Sequence, residues 1–380
     1  MDPYEKFMDL KAYVVDVMNQ PWRAYHNMTH LERMYTFYNK HMWHVTDEVM
    51  LAIAFHDYWY YPNCKQNEEN SAQEFLKFLT MDERGKEFAG VDAQKVVDLI
   101  LATKDPYNPK LTEEQKHFVQ ADWNGMMSWS SLTQERIDFL DMWEEGIFKE
   151  CQMFPIQSYL FGRQAFLTYA RKQNFLKDNV FKYMMHRLNT KTYRVGIYAG
   201  TFCPFHCGHL AVLEEAVRQF NKVVIVAAHN NQKSAVGRSN IFKMFPYMET
   251  KLLKPGEMMV DYLRTFCGYR NVQFTMIRGM RNSFDFEYEK NVQDTMTDNA
   301  NVANARVQGG LFDERTPVHV INILARRDAR HISSSMIEGL TDIYKTPYIL
   351  SNPVCGFNAD GSAHFAEAKF VPEYDPYKEK

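Results

Sequence analysis

Apolar residues in the first half of the chain recur every three to four positions, the spacing of one face of an α-helix. Val97, Ile100 and Leu101 follow this spacing, and residues 49–55 form an almost continuous apolar stretch. The period-two alternation typical of strands is nearly absent there. The pattern predicts an all-helical domain over residues 1–188.

After the short polar stretch 189–192 the pattern changes to short apolar runs separated by helical stretches. The runs lie at 194–199, 222–228, 272–277 and 318–324. Strands that alternate with helices in this way favour a doubly wound parallel sheet. We therefore predict an α/β, Rossmann-like domain over residues 193–340, followed by a carboxyl-terminal extension over 341–380.

Composition narrows the classes of partner. The chain has 380 residues, 46% of them hydrophobic, and a net charge of −3, so its overall field gives no reason to expect nucleic acid. No apolar run approaches the roughly 20 residues that a membrane helix needs, and the first residues lack the features of a signal peptide. Six scattered cysteines form no CxxC pair. We expect a cytoplasmic homo-oligomer that binds neither nucleic acid nor membrane.

Histidines and aspartates stand at ordered positions in the helical half. His26 and His30 are four apart, so on one helix they would share a face. His56 and Asp57 follow the apolar stretch 49–55, and Asp122 interrupts another helical stretch. A charged aspartate at the end of a buried helix is costly unless its charge is compensated. Imidazole and carboxylate ligands around a divalent metal would compensate it.

These clusters resemble the HD superfamily of metal-dependent phosphohydrolases over about residues 20–185. The resemblance implies a divalent Mn²⁺, Fe²⁺ or Mg²⁺ ion, with His26 protonating the leaving group. The metal ligands it implies are His30, His56, Asp57 and Asp122. A metal pocket that only senses a nucleotide would show the same pattern. The nearby Glu68, Glu69 and Ser71 fit either the site or a solvated helix start.

In the second half, each polar motif follows a predicted strand, where ligands of parallel sheets bind. A glycine-bearing turn with His206 and His209 comes after the first strand and opens a helix, which is a favourable place for an anion. Lys233, Arg278 and Arg281 follow the second and third strands, and arginines can bind phosphate in a bidentate manner. Ser333, Ser334 and Ser335 form another polar helix start after the fourth. Together these motifs predict a site for a polyanion.

The same motifs resemble the HxGH nucleotidylyltransferases over about residues 193–340, and the phosphopantetheine adenylyltransferase branch most of all. The resemblance implies transfer of AMP from ATP to a small phosphorylated acceptor with release of pyrophosphate. By this resemblance His206 and His209 bind the ATP phosphates, and His209 stabilises the transition state. The acceptor is bound by Thr201, Lys233 and Arg278, and the terminal phosphates with Mg²⁺ are bound by Ser333, Ser334 and Ser335. The residues implied in nucleotide binding are Gly200, Thr201, Phe202, Arg281, Asp285 and Glu289.

Three positions depart from the pattern of that branch and keep alternatives open. Cys203 stands where the family has aspartate, and Glu338 stands where a basic residue is usual. His206 is threonine in most phosphopantetheine enzymes and histidine in the nicotinamide-mononucleotide and cytidylyl branches. The leading prediction is an adenylyltransferase fused to a metal-dependent HD phosphohydrolase. The alternatives are a nicotinamide-mononucleotide-type adenylyltransferase and a nucleotide-binding or sensing protein with one or both sites inactive.

Overall fold

The computed structural model describes residues 3–228, 240–266, 271–280, 319–324, 355–358 and 361–365, together with single residues between them (287, 290, 291, 294, 326, 332, 336, 337, 340, 345, 347, 349 and 350). By its internal contacts the chain forms two compact units. The first comprises Met1–Cys151 and Leu160–Leu188, and the second comprises Gln152–Tyr159 and Asn189–Lys380.

The described part of the first unit forms helices without strands. They are α1 (Pro3–Met18), α2 (Met28–Lys40), α3 (Asp47–Phe55), α4 (Asn67–Met81), α5 (Ala93–Ala102), α6 (Glu113–Asp122), α7 (Gln134–Glu150), α8 (Ile156–Lys172) and α9 (Asp178–Thr190). The first four residues of α8 and the last two of α9 belong to the second unit. Short 3₁₀ turns lie at Glu83–Phe88 and Met126–Ser128. No helix in the described ranges combines the length and apolarity needed to cross a bilayer.

Side-chain caps determine where several of these helices begin. Thr46 caps α3, Asp92 caps α5, and Thr133 caps α7 through hydrogen bonds to backbone N–H groups of the first turn. Thr112 and Gln115 form a reciprocal capping box at the start of α6. Such caps satisfy N–H groups that have no partner within the helix.

Helix α3 is the centre of the first unit's core. All its residues from Val49 to Phe55 are at most 1% exposed, and it packs against α1, α2, α4 and α5. A helix that is apolar all round is stable only when neighbours surround it. The burial places the end of α3, and therefore His56 and Asp57, inside the unit.

The second unit contains a five-stranded parallel sheet, which confirms the predicted Rossmann-like architecture of this half. Its strands are β1 (Tyr193–Gly200), β2 (Lys222–Ala227), β3 (Thr250–Leu252), β4 (Val272–Met280) and β5 (Val320–Leu324). They lie in the order β3-β2-β1-β4-β5, so the strand order reverses between β1 and β4. Doubly wound sheets bind their ligands at that point.

Helices α10 (Cys207–Gln219), α11 (Asn240–Met244) and α12 (Met259–Leu263) belong to the same unit, with a 3₁₀ turn at Arg264–Phe266. Helix α10 packs against β2, β4 and β5. Its apolar face and the buried strands form the core there.

One short strand and one hairpin of the second unit were not predicted from the sequence. Strand β3 has only three half-buried residues, one of them lysine, so its sequence carries too little pattern to reveal it. Strands β6 (Cys355–Phe357) and β7 (Ala363–Phe365) form an antiparallel hairpin in the predicted extension. A nearby part of the extension contacts the histidine turn: Ile349 pairs with the backbone of His206, and Cys207 lies 3.5 Å from the Pro347 carbonyl.

A buried ion pair ties residues 152–159 into the second unit. The Lys222 ammonium is 1% exposed, lies 3.1 Å from the Glu249 carboxylate, and donates to the Gln152 carbonyl. The Gln152 carbonyl also accepts a hydrogen bond from the Glu249 N–H, and the Tyr262 hydroxyl donates to the Glu249 carboxylate. Each buried charge therefore has more than one partner, as burial of charges requires.

Candidate active sites

The His26–His30 segment has a geometry different from the one expected. Helix α2 begins at Met28, because the Asn27 side chain accepts hydrogen bonds from the N–H groups of Thr29 and His30 and caps it. His26 therefore lies before the helix and does not share a helical face with His30, so that expectation was wrong. The turn nevertheless brings the two rings to a centroid distance of 5.9 Å.

Three sequence-distant ligand candidates converge in the first unit. The ligand atoms of His30, His56 and Asp122 all lie within 4.8 Å of one another. The two Nε2 atoms of His30 and His56 are 3.1 Å apart, and the Asp122 carboxylate is 3.1 Å from His30. Asp57 adjoins this group, with its Oδ2 atom 2.9 Å from His56 Nε2 and 3.5 Å from His30 Nε2.

Backbone contacts orient the His56 ring. Its Nδ1 atom lies 3.0 Å from the Ile53 carbonyl, so Nδ1 carries a proton and Nε2 faces the carboxylates. Burial alone would lower the pKa of His56, but Asp57 and Asp122 outweigh burial and raise that pKa to about 9. Burial lowers the pKa of His30, although Asp122 opposes the shift. One positive charge is therefore favoured at the point where the two Nε2 atoms meet.

This arrangement fits a divalent metal ion. The buried Oδ2 atom of Asp57 makes no well-oriented hydrogen bond, although it lies 2.9 Å from His56 Nε2 and 3.5 Å from His30 Nε2. A cation at that point would bind this oxygen and replace the proton of His56. Two imidazole and two carboxylate ligands suit Mn²⁺ or Fe²⁺ better than Mg²⁺, which prefers oxygen ligands.

His26 is paired with a glutamate that the sequence did not reveal. Its Nδ1 atom lies 2.6 Å from the carboxylate of Glu150, the last residue of α7, which is 2% exposed. The other Glu150 oxygen accepts hydrogen bonds from the N–H groups of Tyr25 and His26. Burial would lower the pKa of His26, but Glu150 and Asp57 raise it above its usual value. Burial would raise the pKa of Glu150, but His26 lowers it.

Close helix packing makes the His26–Glu150 pair possible. Gly146, one turn before Glu150, faces Tyr25, and a Cβ atom there would lie 2.8 Å from the Cβ of Tyr25. Glycine therefore lets α7 approach the turn before α2. His26 and Glu150 are separated by 124 residues in the chain, so only the fold brings them together.

The loop after the His56–Asp57 pair is held by three side chains. The Arg23 guanidinium donates to the carbonyls of Asp57 and Tyr58. The Asn67 side chain bonds to both backbone groups of Tyr61, and the Ser71 hydroxyl bonds to both of Trp59. Ser71 is fully buried, so its segment is more than a solvated helix start.

Glu68 and Glu69, the acidic neighbours in that segment, have different surroundings. Glu69 pairs with Lys104 on an exposed surface. Burial raises the pKa of Glu68, and the nearby Asp57 carboxylate adds to that shift. Glu68 therefore interacts electrostatically with Asp57, whereas Glu69 is paired with Lys104.

In the second unit, Gly200 makes space for an aromatic ring. A Cβ atom on Gly200 would lie 2.8 Å from the ring of Phe202, which is 1% exposed and has a positive φ of 45°. The Phe202 ring in turn packs edge-on against His209 at 5.1 Å. Gly200 and Phe202 therefore shape the turn and support the histidine ring.

His206 and His209 cap their own helix. The Nδ1 atom of His206 accepts from the N–H groups of Gly208 and His209, and the Nδ1 atom of His209 accepts from the N–H of His206. This is a capping box made of two histidines. Both rings must therefore carry their proton on Nε2, and they stack at 3.6 Å. The backbone N–H groups at 206, 208 and 209 are therefore engaged within the cap itself.

Arg278 and Thr201 lie at the switch point between β1 and β4. Thr201 directly follows β1, and Arg278 lies near the end of β4 and donates to the Ala199 carbonyl at 3.1 Å. Since Tyr198 and Ile277 are paired in register, both residues stand at the carboxyl edge of neighbouring strands. The other predicted site residues lie outside the described residues: Lys233, Arg281, Asp285, Glu289, Ser333, Ser334 and Ser335.

Comparison with known proteins agrees with the fold of this unit. The family described as cytidylyltransferase-like matches residues 197–339. A phosphopantetheine adenylyltransferase of Malacoplasma penetrans is 34% identical over 104 residues, which are 26% of this chain and 67% of that protein. Those of Leuconostoc citreum and Mycoplasma capricolum are 29% and 28% identical, over 38% and 40% of this chain and 82% and 99% of their own. Through its second unit, the chain therefore belongs to the cytidylyltransferase-like nucleotidylyltransferases, with phosphopantetheine adenylyltransferases among its relatives.

Proposed function

We propose that the second unit transfers AMP from ATP to the phosphate of a 4′-phosphopantetheine-like acceptor and releases pyrophosphate. The observation that carries this proposal is the two-histidine cap beside Thr201 and Arg278 at the switch point of the sheet. The relatives named phosphopantetheine adenylyltransferase support the acceptor.

In the proposed reaction, an acceptor phosphate oxygen forms a bond to the α-phosphorus of ATP. The bond from that phosphorus to the bridging oxygen breaks, and pyrophosphate leaves with the electron pair. No residue needs to form a covalent bond, so positioning and charge stabilisation supply the catalysis. The Nε2–H groups of His206 and His209 donate to phosphate oxygens, while Thr201 and Arg278 hold the acceptor phosphate. Mg²⁺ bound with ATP would offset the charge of its phosphates.

The cap also bears on the choice of acceptor. His206 accepts backbone N–H bonds at the N-cap position, a role that threonine fills as well. Histidine at this position is therefore explained by the helix start and gives no support for nicotinamide mononucleotide.

Product analysis with matched variants tests this activity. ATP and 4′-phosphopantetheine should yield pyrophosphate and the adenylylated acceptor, detected by mass spectrometry, with nicotinamide mononucleotide as the competing acceptor. His209→Ala should lower kcat by about 10²–10³-fold, the usual effect of removing one transition-state donor. Tight ATP binding in calorimetry without product from either acceptor would instead support the sensing alternative.

We further propose that the first unit is a metal-dependent phosphohydrolase. The observation that supports it is the cluster of His30, His56 and Asp122 next to the buried Asp57 carboxylate. A divalent ion held there would polarise a phosphate oxygen and lower the pKa of a bound water. His26, whose pKa is raised by the neighbouring Glu150 carboxylate, would protonate the leaving oxygen.

Metal analysis and phosphate release test the second activity. Purified chain should contain a divalent ion, and the double variant His56→Ala/Asp57→Ala should not. With Mn²⁺ added, the wild-type chain should release phosphate from monoesters, whereas this double variant should remain inert. If wild-type chain neither retains a divalent ion nor hydrolyses monoesters or cyclic nucleotides, the proposal fails.

A further inference from the structure

Arg33 is connected to the ligand cluster of the first unit through one aromatic ring, that of Tyr25. It follows His30 by three residues on α2, so both side chains emerge from neighbouring positions on one face of that helix. Its guanidinium carbon is 4.9 Å from the centroid of the Tyr25 ring, and that ring is 5.1 Å from the ring of His30. One aromatic ring thus separates Arg33 from a proposed metal ligand.

Two guanidinium donors of Arg33 have no acceptor. Its Nε and Nη2 atoms are buried and make no hydrogen bond. No carboxylate among the described residues forms an ion pair with Arg33. Arg23 provides a contrast, because its guanidinium donates to the carbonyls of Asp57 and Tyr58. Arg23 therefore holds the backbone, whereas Arg33 presents buried donors that an oxyanion would satisfy.

The charges around the cluster leave room for an anion. A divalent cation would balance the carboxylates of Asp57 and Asp122, and His26 and Glu150 balance each other. The Glu68 carboxyl near Asp57 is partly offset by Lys104. Arg33 adds a positive charge with the planar, multi-donor geometry that matches phosphate.

We propose that Arg33 binds the phosphate group of the substrate that the first unit hydrolyses. This inference rests on the proposed phosphohydrolase function. In the hydrolysis, a water oxygen forms a bond to phosphorus and the ester P–O bond breaks with its electron pair on the leaving oxygen. His26 supplies a proton to that oxygen, the attacking water gives up one proton to the solvent, and a monoester probe yields an alcohol and orthophosphate.

The test compares Arg33→Met and Arg33→Lys with wild-type full-length chain loaded with Mn²⁺. Methionine keeps the apolar contact with Tyr25 and removes the donors. Arg84→Met is the matched control, because Arg84 also lies over a tyrosine ring, that of Tyr13 at 4.3 Å, but is exposed and paired with Asp82. Metal content and thermal unfolding of each variant show whether the site and the fold remain.

Two readouts use defined probes: KM and kcat for p-nitrophenyl phosphate, and calorimetric binding of orthophosphate. Arg33→Met should raise both KM and the dissociation constant of orthophosphate by about 10–100-fold, as expected for loss of charge-assisted bonds. The Mn²⁺ content should stay unchanged, with an intermediate effect for Arg33→Lys and none for Arg84→Met. Because any orthophosphate bound by the second unit is common to all variants, the difference between variants reports the first unit.

The outcomes separate the two proposals. If wild-type chain hydrolyses p-nitrophenyl phosphate and Arg33→Met keeps its KM and orthophosphate affinity, the role of Arg33 is overturned while the hydrolase stands. If wild-type chain retains no Mn²⁺ and hydrolyses nothing, the hydrolase itself is overturned. Metal-loaded chain that binds orthophosphate only when Arg33 is present supports Arg33 even without turnover of this probe.

Discussion

At the scale of single residues, the pKa values of buried groups in the first unit depend on partners that are distant in sequence. His26 was identified from its place in a motif, but the residue that charges it, Glu150, lies at the end of α7. No local pattern marks Glu150, because a glutamate at a helix end is usually solvated. His56, Asp57 and Asp122 were predicted as metal ligands because they end or interrupt helical stretches, and His30 because of its spacing from His26 and the ordered motif.

Replacing Glu150 by glutamine should lower the pKa of His26. The substitution removes the carboxylate that raises this pKa and leaves the burial that lowers it. The carbonyl of glutamine can still accept the N–H bonds of Tyr25 and His26, so the turn should persist. Titration of the His26 ring by NMR measures the shift, and Glu135→Gln, at an exposed position near the start of α7, is the control.

The same pair predicts how stability varies with pH. His26, with a raised folded pKa, contributes stability below its unfolded value of about 6.5 that is lost as pH rises through the folded pKa. Glu150, with a lowered folded pKa, contributes stability above its unfolded value of about 4.3 that is lost as pH falls through the folded pKa. Glu150→Gln should therefore destabilise most near pH 6, by about 1–3 kcal/mol. An equal loss at pH 6 and at pH 9 would contradict the ionic pairing.

At the scale of elements, the residues that cap helices also fix the geometry of the candidate sites. Asn27 caps α2 and so fixes where His30 stands, while His206 and His209 cap α10 and thereby fix their own ring tautomers. The anion site at α10 was predicted from the strand–turn–helix pattern. The capping box was not, because histidine is not among the residues that usually cap helices.

Threonine should be able to take over the capping role of His206 at the helix start, whereas alanine should not. Threonine can accept the N–H groups of Gly208 and His209, and alanine leaves them without that partner. We expect a loss of about 1 kcal/mol in local stability for His206→Ala and a few tenths for His206→Thr. Hydrogen exchange of the amides at 208 and 209 measures this difference. Equal protection in both variants would show that the ring makes no contribution as a cap.

The sheet shows which elements a sequence reveals. Strands β1, β2, β4 and β5 coincide with apolar runs because each contributes buried side chains to the apolar core. Strand β3 has three half-buried residues, and it is specified by pairing with β2, a long-range contact that leaves no local pattern.

At the scale of the whole molecule, the two units do not follow each other simply along the chain. Gln152–Tyr159 belongs to the second unit although 160–188 belongs to the first. The sequence pattern could not indicate this, because the segment lies within a region of helical periodicity and the groups it contacts in the second unit are distant in sequence. Gln152 offers its carbonyl to Lys222 and to the Glu249 N–H.

Breaking the buried pair beside that segment should destabilise the second unit selectively. Lys222→Met removes the cation and leaves the Glu249 carboxylate buried, with an expected cost of about 3–5 kcal/mol. Lys251→Met, which breaks the more exposed pair with Glu257, should cost at most about 1 kcal/mol. Differential scanning calorimetry of the full chain measures both effects. Since the penalty comes from an unpaired charge, Lys222→Met/Glu249→Gln should recover part of it, and failure to recover would refute that cause.

The segment 152–159 also determines how the gene can be divided. Cutting the coding sequence at codons 189–192 would give a downstream product that lacks the Gln152 carbonyl beneath Lys222 and the Gln157 amide that bonds to Thr265. A graft of the transferase into another host protein must therefore carry two separate stretches of coding sequence. The smallest form of the second unit that could be moved is therefore discontinuous in sequence.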